Sequence, residues 1–422
     1  MKILISAYSC APGRGSEPAV GWNVAELAAR RHRVWVLLDE HNRPWVEQSV
    51  ADLRRLGIQW IFVKLPWPLS RLFSIRWRGY LHYALWQVAA YFEARRLHRR
   101  IGFDLIHHVT YQNSWAPVWT GRLGVPLVWN GGRRDVVPMR LLSRLGLRGG
   151  LAELVRAALM RLFWLVTDPL VARRAATILS LGPARCWPAG ARVEPIACGG
   201  LSEAEASRLS RIPPRQGEPF RIASIGRLVA FKGVALALEA FARFRAKVPE
   251  SEFWVIGEGP ERRRLERLAA RLGCADSVRF LGWRSRDELF ALFEQIDVLV
   301  HASLRDAFGY VVVEAMAAGR PVLCLDAGGA ATIVRSGGGV VLAVETPQRI
   351  VEAMARTLAS WAREPALREA IGRQARATAL ERFRWLAQED ALDRVYQQAV
   401  AATRSEQRPL RRAATAASGD SR

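Results

Sequence analysis

Short apolar runs alternate with helical patterns along this chain, in two separate series. The first series opens with the β-rich run Lys2 to Tyr8, continues through a Pro/Gly loop and a helical pattern, and reaches a second apolar run at Val34 to Leu38. The second series opens at Phe220 to Ile225 and continues to Pro321 to Leu325. Strand, glycine loop, helix and strand in this order are typical of a parallel α/β sheet. The sequence therefore predicts an α/β chain with two doubly wound, Rossmann-like domains.

The length of the chain agrees with two domains. It has 422 residues, which is long for one hydrophobic core, and 50% of them are hydrophobic. The polar, Pro-rich segment RIPPRQGEP precedes the second series, and we expect domains at residues 1–203 and 204–384. A helix at about 385–403 is expected to pack back on the first domain. The tail 404–422 is polar and rich in small residues, so we expect it to be disordered.

The charge and the cysteines narrow the function classes. The formal net charge is +23, and almost all of the basic residues are arginine. A surface this positive favours anionic partners such as nucleotides, acidic lipid headgroups or nucleic acid. The five cysteines are scattered and form no CxxC pattern, which indicates free thiols in a reducing cytoplasm. No apolar run reaches the roughly 18 residues of a membrane-spanning helix, and the N-terminal run is too short for a signal peptide.

The loop in SIGRLVAFKGV has the composition of an anion site. A strand ends at Gly226, and Arg227 and Lys232 follow before the next helix begins. Glycine permits close backbone approach, and two cations at the carboxyl end of a strand suit an anion such as a phosphate. The alternative is a surface loop whose charges are solvated.

The segment SLRDAFGYVVVEAMAAGRPV holds two acids with unusual neighbours. Asp306 precedes Phe308-Gly309, and Glu314 lies inside an apolar run, where a carboxylate is costly to bury without a partner. We expect a helix at Tyr310 to Ala318, although the three consecutive valines would suit a strand equally well. Carboxylates accept hydrogen bonds from vicinal sugar hydroxyls, and the amides at a helix N-terminus bind pyrophosphate, so the segment suits a nucleotide-sugar. The alternatives are a helix N-cap for Asp306 and an ion pair with arginine for Glu314.

Together these segments resemble the retaining, GT-B-fold glycosyltransferases of family four, of the bacterial group 1 type. The resemblance covers about residues 220 to 335 and rests on SIGRLVAFKG, FWVIGEGPERRRLE, VRFLGWRSRDEL, DVLVHASLRDAFGYVVVEAMAAGRPVLC and DAGGAATIV, in the order of the family. The family has two glutamates separated by seven residues. Here Asp306 and Glu314 keep that spacing, and the first acid is one methylene shorter.

The resemblance implies a fold and a set of roles. The fold is GT-B, in which two Rossmann-like domains face each other across a cleft, the first binding the acceptor and the second the donor. Arg227 and Lys232 would hold the donor pyrophosphate and Glu314 the ribose. The remaining donor-site residues implied in this half are Gly226 in the loop before Arg227, Trp283 and Arg284 at the base, and Asp306, Ala307, Phe308 and Gly309 at the sugar.

The N-terminal half resembles the family less closely. Gly13, Gly15 and Glu17, in APGRGSEPAVGW, would lie near the sugar phosphate. The segment FDLIHHVTYQNSWAP would place a catalytic histidine at the end of a strand, with His108 preferred over His107. Period-2 alternation sends the two imidazoles to opposite faces, one inward and one outward. A strand histidine with a structural role is the alternative.

The implied chemistry is transfer of a sugar, with retention, from a nucleotide-sugar to a glycan or lipid-linked acceptor in cell-envelope or exopolysaccharide synthesis. No carboxylate nucleophile is placed for a double displacement, so front-face transfer is expected, in which the leaving diphosphate is stabilised by cations and helps to deprotonate the acceptor. No DxD pattern is present, so no metal and no further cofactor are expected. The residues expected to take part in catalysis are His108, His107, Asp306, Arg227 and Lys232.

Two arginine-rich stretches leave the partners open. Arg71 to Arg100 contains seven arginines and one acid among aromatic residues, and Arg140 to Arg174 is similar. Such helices suit the surface of an anionic bilayer, on the inner face of the cell membrane. They would also suit single-stranded nucleic acid, or be ordinary helices with one buried face.

Two alternative functions stay open beside the glycosyltransferase. One is a sugar-nucleotide epimerase or hydrolase with the same fold, and the other is a basic nucleic-acid-binding protein. For a glycosyltransferase, no nucleic-acid partner is expected.

Overall fold

A computed structural model describes residues 1–13, 17–53, 56–65, 78–111, 118–132, 134, 136–182, 184–197 and 199–403. The predicted tail 404–422, Gly15 and residues 71–77 of the first arginine-rich stretch lie outside these described residues. No helix in the described part of the chain is long and apolar enough to cross a membrane.

The contacts divide the chain into two compact units. The first unit is Met1–Arg133, Met160–Cys198 and Gln388–Arg422, and the second is Arg134–Leu159 and Gly199–Ala387. Residues 134–159 therefore belong with the second sheet, whereas the expected boundary at 203/204 assigned them to the first domain. The sequence pattern identified the helix in this segment but carried no information about which sheet it packs on.

Specific contacts hold residues 134–159 in the second unit. Val137 and Leu141 are buried in the core of that unit. Arg144 makes two hydrogen bonds to Glu239, at 2.7 and 2.8 Å. Because both carboxylate oxygens are used, the pairing fixes the geometry of this segment.

The first unit contains a seven-stranded parallel sheet in the order β3-β2-β1-β4-β5-β6-β7. The order reverses between β1 and β4, so that the loops after these two strands meet at the carboxyl edge of the sheet. The strands are β1 Lys2–Ser6, β2 Arg33–Asp39, β3 Gln59–Val63, β4 Leu105–His108, β5 Leu127–Asn130, β6 Thr177–Leu179 and β7 Val193–Glu194. Its helices are Glu17–Ala29, Arg43–Leu53, Arg78–Ile101 and residues 389–403, and the helix Gly146–Thr167 contains a unit boundary at 159/160.

Helices cover this sheet on both faces. Tyr83 and Trp86 of the helix Arg78–Ile101 are fully buried against it, in one cluster with Trp129 of β5. The helix at 389–403 contacts the same unit through Tyr396, and Arg31 pairs with Glu389 at 2.7 Å. Since the aromatic residues of the first arginine-rich stretch include these core residues, that helix is an ordinary amphipathic helix with one buried face.

The second unit contains a six-stranded parallel sheet in the order β10-β9-β8-β11-β12-β13, with its reversal between β8 and β11. The strands are β8 Phe220–Ile225, β9 Ser251–Ile256, β10 Val278–Gly282, β11 Val298–His301, β12 Val322–Leu325 and β13 Gly339–Leu342. The helices are Glu203–Ser210, Val234–Arg245, Arg262–Arg271, Arg286–Leu292, Tyr310–Ala317, Gly329–Arg335, Pro347–Arg363 and Pro365–Arg382.

The core of the second unit is rich in phenylalanine. Phe241, Phe244 and Phe253 are fully buried between the helix Val234–Arg245 and the sheet, and the rings of Phe241 and Phe253 stack at 5.4 Å. Replacing one such side chain with alanine typically costs about 3–5 kcal/mol of unfolding free energy. This core holds the carboxyl edge of the sheet in place.

The ambiguous run after Gly309 forms a helix, Tyr310–Ala317. Gly309 at its N-cap has φ 89° and Gly319 beyond its C-terminus has φ 70°, conformations that favour glycine at both positions. The two glycines therefore decide against the strand that the valines alone would permit.

Candidate functional site

The site lies where the second sheet reverses its strand order. The loop after β8 contains Gly226 to Lys232, and the loop after β11 contains Ala302 to Gly309. Because β8 and β11 are neighbours in a parallel sheet, their loops emerge at the same edge. In open α/β sheets this is the position where ligands bind.

Lys232 and Asp306 form the centre of the site. Lys232 Nζ donates to Asp306 Oδ2 at 2.6 Å, and His301 Nε2 lies 3.1 Å from the same oxygen. Burial raises the pKa of Asp306, but the hydrogen bond from His301 and the charge of Lys232 outweigh it and hold that pKa well below its ordinary value. Asp306 is therefore a carboxylate at neutral pH.

Glycines allow the loops around this pair to touch. A Cβ on Gly233, which follows Lys232 at φ 68°, would lie 2.0 Å from the carbonyl oxygen of Ala302. Gly328, at φ 80°, approaches the backbone of Asp306 in the same way, and Gly329 N donates to the Asp306 carbonyl at 2.7 Å. The segment DAGG, which contains Gly328 and Gly329, therefore packs directly against the loop that contains Asp306.

The three residues after Asp306 offer a ligand their backbone, while the Phe308 side chain belongs to the core. Phe308 is buried, packs against Gly199, and its ring lies 4.8 Å from that of Tyr310. Its side chain is thus structural, and what Ala307, Phe308 and Gly309 present to a ligand is their backbone. The helix Tyr310–Ala317 begins directly after them, and the first amides of a helix have no intrahelical acceptor, which favours an anion there.

Glu314 is buried in that helix with an arginine partner. Its Oε1 lies 2.9 Å from Arg286 Nη2, and Arg286 Nε lies 2.5 Å from Glu205 Oε1. Burial raises the pKa of Glu314 to about 7, with Arg286 opposing the effect and Glu205 adding to it. The ion pair that the sequence left as an alternative is therefore present.

The remaining residues predicted for the donor lie along the same edge. Gly226 ends β8 with φ 145°, and Arg227 is exposed beside it. Trp283 follows β10 and is 72% exposed, and Arg284 Nη1 lies 3.7 Å from Glu288 Oε1. In the described part of the chain these side chains make no bond to Asp306 or Glu314, so the structure brings together Lys232, Asp306 and the helix start more closely than the other predicted residues.

Within the first unit, Glu17 positions the backbone that follows β4. Its Oε2 accepts from Tyr111 N at 2.9 Å, and Tyr111 has φ 59°, an uncommon conformation for a residue other than glycine. The Tyr111 ring stacks on Tyr83 at 4.4 Å. Gly13, with φ 65°, lies at the exposed turn before the helix of Glu17.

His107 and His108 point to opposite faces of the first sheet, and both are buried. His107 bonds to Tyr396 Oη at 2.7 Å and to Asn130 Oδ1 at 2.9 Å. His108 bonds to Tyr83 Oη at 3.0 Å and to Ser6 Oγ at 3.1 Å. One imidazole was expected to point outward, but a helix covers each face of the sheet, through Tyr83 on one and Tyr396 on the other. All four ring nitrogens have protein partners, which is the arrangement expected of structural histidines.

Burial sets the protonation of both imidazoles. It lowers the pKa of His107 to about 4, with the Asn130 hydrogen bond opposing it, and the pKa of His108 to about 3, with repulsion from His107 adding to it. Both rings are neutral at pH 7, and neither presents a ring nitrogen to a ligand in this conformation.

The sequence reasoning missed two residues of the site. His301 ends β11 and holds Asp306, and Arg286 begins a helix and holds Glu314. His301 could have been found from its place at the carboxyl end of β11, one of the two strands between which the strand order reverses. Arg286 is one of many arginines, and no local pattern distinguishes it. Within the described residues no group of three or more His, Cys, Asp or Glu side chains could hold a metal ion, and the expected independence from metal stays a prediction.

Comparison with known proteins assigns the family. A family model described as glycosyl transferases group 1 matches residues 206–378. The chain is 30% identical over 298 residues to a 2-deoxystreptamine glucosyltransferase from Streptomyces kanamyceticus, covering 67% of this chain and 74% of that protein. The chain belongs to the group 1 glycosyltransferases. It is also 31% identical over 225 residues to a D-inositol 3-phosphate glycosyltransferase from Corynebacterium jeikeium, and spans about half of that relative, 51% of its length.

Solved structures agree on the fold of this group 1 glycosyltransferase. Anabaena HepE in complex with UDP superposes with a TM-score of 0.60 at 21% identity, covering 96% of this chain and 100% of that one. Both parallel sheets of the chain match this architecture, and the fold is GT-B, as predicted.

Proposed function

We propose that the chain transfers a hexose from a nucleotide-sugar to an acceptor hydroxyl, with retention of configuration. The observation that carries this proposal is the Lys232–Asp306 pair at the reversal of the second sheet, directly before a helix N-terminus. A cation and a helix start suit the diphosphate of a donor, and an adjacent carboxylate suits the hydroxyls of its sugar. Asp306 and Glu314 keep the spacing of the family's two acids.

The cations would act most strongly when the bond between the sugar and the diphosphate of the donor breaks. When the sugar–phosphate bond cleaves, negative charge grows on the departing diphosphate, and Lys232, Arg227 and the helix start would stabilise it. The same oxygens then accept the proton of the attacking hydroxyl. Since Asp306 is bonded to Lys232 and His301, it is better suited to hold sugar hydroxyls than to attack the anomeric carbon, which supports front-face transfer.

The nucleotide is proposed to bind along the same edge. Glu314 would accept hydrogen bonds from the ribose hydroxyls, with Arg286 favouring its ionised form, and Trp283 and Arg284 would flank the base. Because the solved structure of HepE contains UDP, UDP and its sugars are the first donors to test. The two curated relatives are named for cyclitol acceptors, so inositol phosphate and aminocyclitols belong in the acceptor panel beside glycans and lipid-linked sugars.

We also propose that the enzyme works at the anionic inner face of the cell membrane, in envelope or exopolysaccharide synthesis. The helix Gly146–Thr167 exposes an unusual amount of apolar surface together with Arg148 and Arg161, and its single acid, Glu153, is buried. Such a helix suits an anionic bilayer surface, where a lipid-linked acceptor would be found. Its exposed large side chains are Leu147, Leu151, Leu154, Val155, Leu159, Leu162, Phe163, Leu165 and Val166.

The deciding experiment is a panel of nucleotide-sugars scored by thermal shift and then by turnover with and without acceptors. A transferase responds to one donor and requires an acceptor for full turnover. Turnover of the donor at the same rate with and without an acceptor would indicate a hydrolase or epimerase. Salt-dependent binding of RNA with no response to any donor would indicate a nucleic-acid-binding protein.

A further inference from the structure

We infer that the amino edge of the second sheet carries a second anion site, which takes a phosphate group. The site is a cleft with about 380 Å³ of empty space, part of it open to solvent. It lies before β11 and β12, at the opposite edge of the sheet from Lys232 and Asp306. No part of the proposed transfer reaction uses it.

The lining of this cleft is strongly positive. Five arginines and two carboxylates line it, so the positive groups exceed the negative ones by three. Asp297, fully buried, is shared by Arg215 and by Arg368, whose Nη2 lies 3.5 Å away. The other carboxylate, Glu369, lies 3.9 Å from Arg373 at the rim. The two acids thus account for only three of the five cations.

The other two cations, Arg320 and Arg376, are bonded only to carbonyl oxygens in the described part of the chain. Arg320 is 2% exposed and donates to Phe293 O at 2.9 Å and Pro213 O at 2.7 Å. Arg376 donates to Ala318 O at 3.1 Å, and its buried Nε has no hydrogen-bond partner there. Neither has a carboxylate within 4.0 Å in the described chain.

These charges stay in place at neutral pH. Burial lowers the pKa of Arg320 to about 10, and Asp297 opposes this effect. Repulsion from Arg376, Arg215 and Arg368 lowers that pKa further. A buried guanidinium that remains protonated without a counter-charge is costly. An anion that entered the cleft would supply the missing charge and gain charge-assisted hydrogen bonds.

A purely structural role explains only part of the cluster. Arg376 does tie the backbone at Ile212 and Ala318 to the helix Pro365–Arg382, and Arg320 ties the backbone at Phe293 and Pro213 to the segment before β12. A neutral donor such as glutamine would make bonds of this kind without the cost of a buried charge. The excess of three charges and the open cleft beside them are what a phosphate group fits.

The test uses the full chain with Lys232→Ala as background, because that substitution weakens phosphate binding at the proposed donor site. Calorimetric titration with sodium phosphate is compared with sodium chloride at matched ionic strength. We expect phosphate to bind, and Arg373→Gln, at the exposed rim, to weaken it by about tenfold through loss of a charged hydrogen bond. The matched control is Arg349→Gln, which is 75% exposed and lies away from the cleft.

Glycerol 3-phosphate and glucose 1-phosphate form the second arm of the titration. Tighter binding of either than of free phosphate identifies a phosphate monoester as the ligand, and the reverse identifies inorganic phosphate. Equal effects of Arg373→Gln and Arg349→Gln on phosphate binding would overturn the site, as would no preference for phosphate over chloride. Arg376→Gln provides a second variant inside the cleft, used if its thermal unfolding remains cooperative.

Discussion

Lys232 Nζ and Asp306 Oδ2 lie 2.6 Å apart although the two residues are 74 positions apart in the chain. The pair joins the loop after β8 to the loop after β11, at the point where the order of the second sheet reverses. A diphosphate at this position would compete with Asp306 for the ammonium group. The pair therefore holds Lys232 in place, and a bound diphosphate would take over part of its hydrogen-bonding capacity.

We predict that Lys232→Ala abolishes stabilisation by UDP and UDP-sugars and lowers kcat by about 10²-fold or more, because a charge that stabilises the leaving group is lost. The measurement is thermal shift with each nucleotide, followed by kcat and KM with the best donor. Lys247→Ala, at an exposed position of the same unit, is the control. A Lys232→Ala protein that responds to donors as the parent does would refute the site assignment.

Glu314→Gln should keep the stability of the protein at high pH while weakening its binding of UDP. The folded pKa of Glu314, about 7, lies above its ordinary value of 4.5, so the native state binds a proton that the unfolded chain releases between these values. The parent therefore loses unfolding free energy as pH rises from about 4.5 to 7, by up to about 3 kcal/mol for a shift of this size.

We expect Glu314→Gln to lack this pH dependence and to be at least as stable as the parent at pH 8, yet to bind UDP more weakly because the ribose loses its carboxylate partner. Urea unfolding between pH 5 and pH 8 and titration with UDP measure the two effects. A parent stability that rises over this pH range would contradict the burial argument for Glu314.

His107→Ala and His108→Ala should each lower the unfolding free energy by about 1–3 kcal/mol, since each removes a hydrogen-bond partner of a buried tyrosine hydroxyl. The hydroxyls are those of Tyr396 and Tyr83. Urea unfolding at pH 7 gives the change, and kcat is measured at a temperature where both variants are folded. Loss of turnover with unchanged stability would instead restore the catalytic role that the sequence suggested for one of them.

Leu147→Asp combined with Leu151→Asp should release the protein from vesicles of mixed phosphatidylcholine and phosphatidylserine. These side chains are 95% and 64% exposed on the helix Gly146–Thr167, so the substitutions remove apolar surface without opening the core. Sedimentation with vesicles measures binding. Leu367→Asp, at an exposed position of another helix, is the control. Unchanged sedimentation of the double variant would exclude this helix as the membrane contact, and a change in oligomeric state alone would assign it to a protein interface.

The strands and helices were largely predictable because their signals are local. Short apolar runs are visible in the sequence, and each of the four runs named above contains a strand of the structure. The helix after Gly309 needed only the two glycines that bound it. Even here, the strands β7 and β13 were missed, since Val193–Glu194 has only two residues and Gly339–Leu342 begins with a glycine, a residue depleted in strands.

Two α/β units, the acid pair Asp306 and Glu314 with its spacing, and the loop that contains Lys232 are all readable from local patterns in the chain. Only the folded arrangement shows that Lys232 bonds to Asp306, that Arg286 holds Glu314, and that helices cover both His107 and His108. It also gathered the arginines at the opposite edge of the second sheet. The reason is that a local pattern depends on neighbours within a few residues. The partner and the burial of a charged side chain depend instead on which distant segments the sheet brings together.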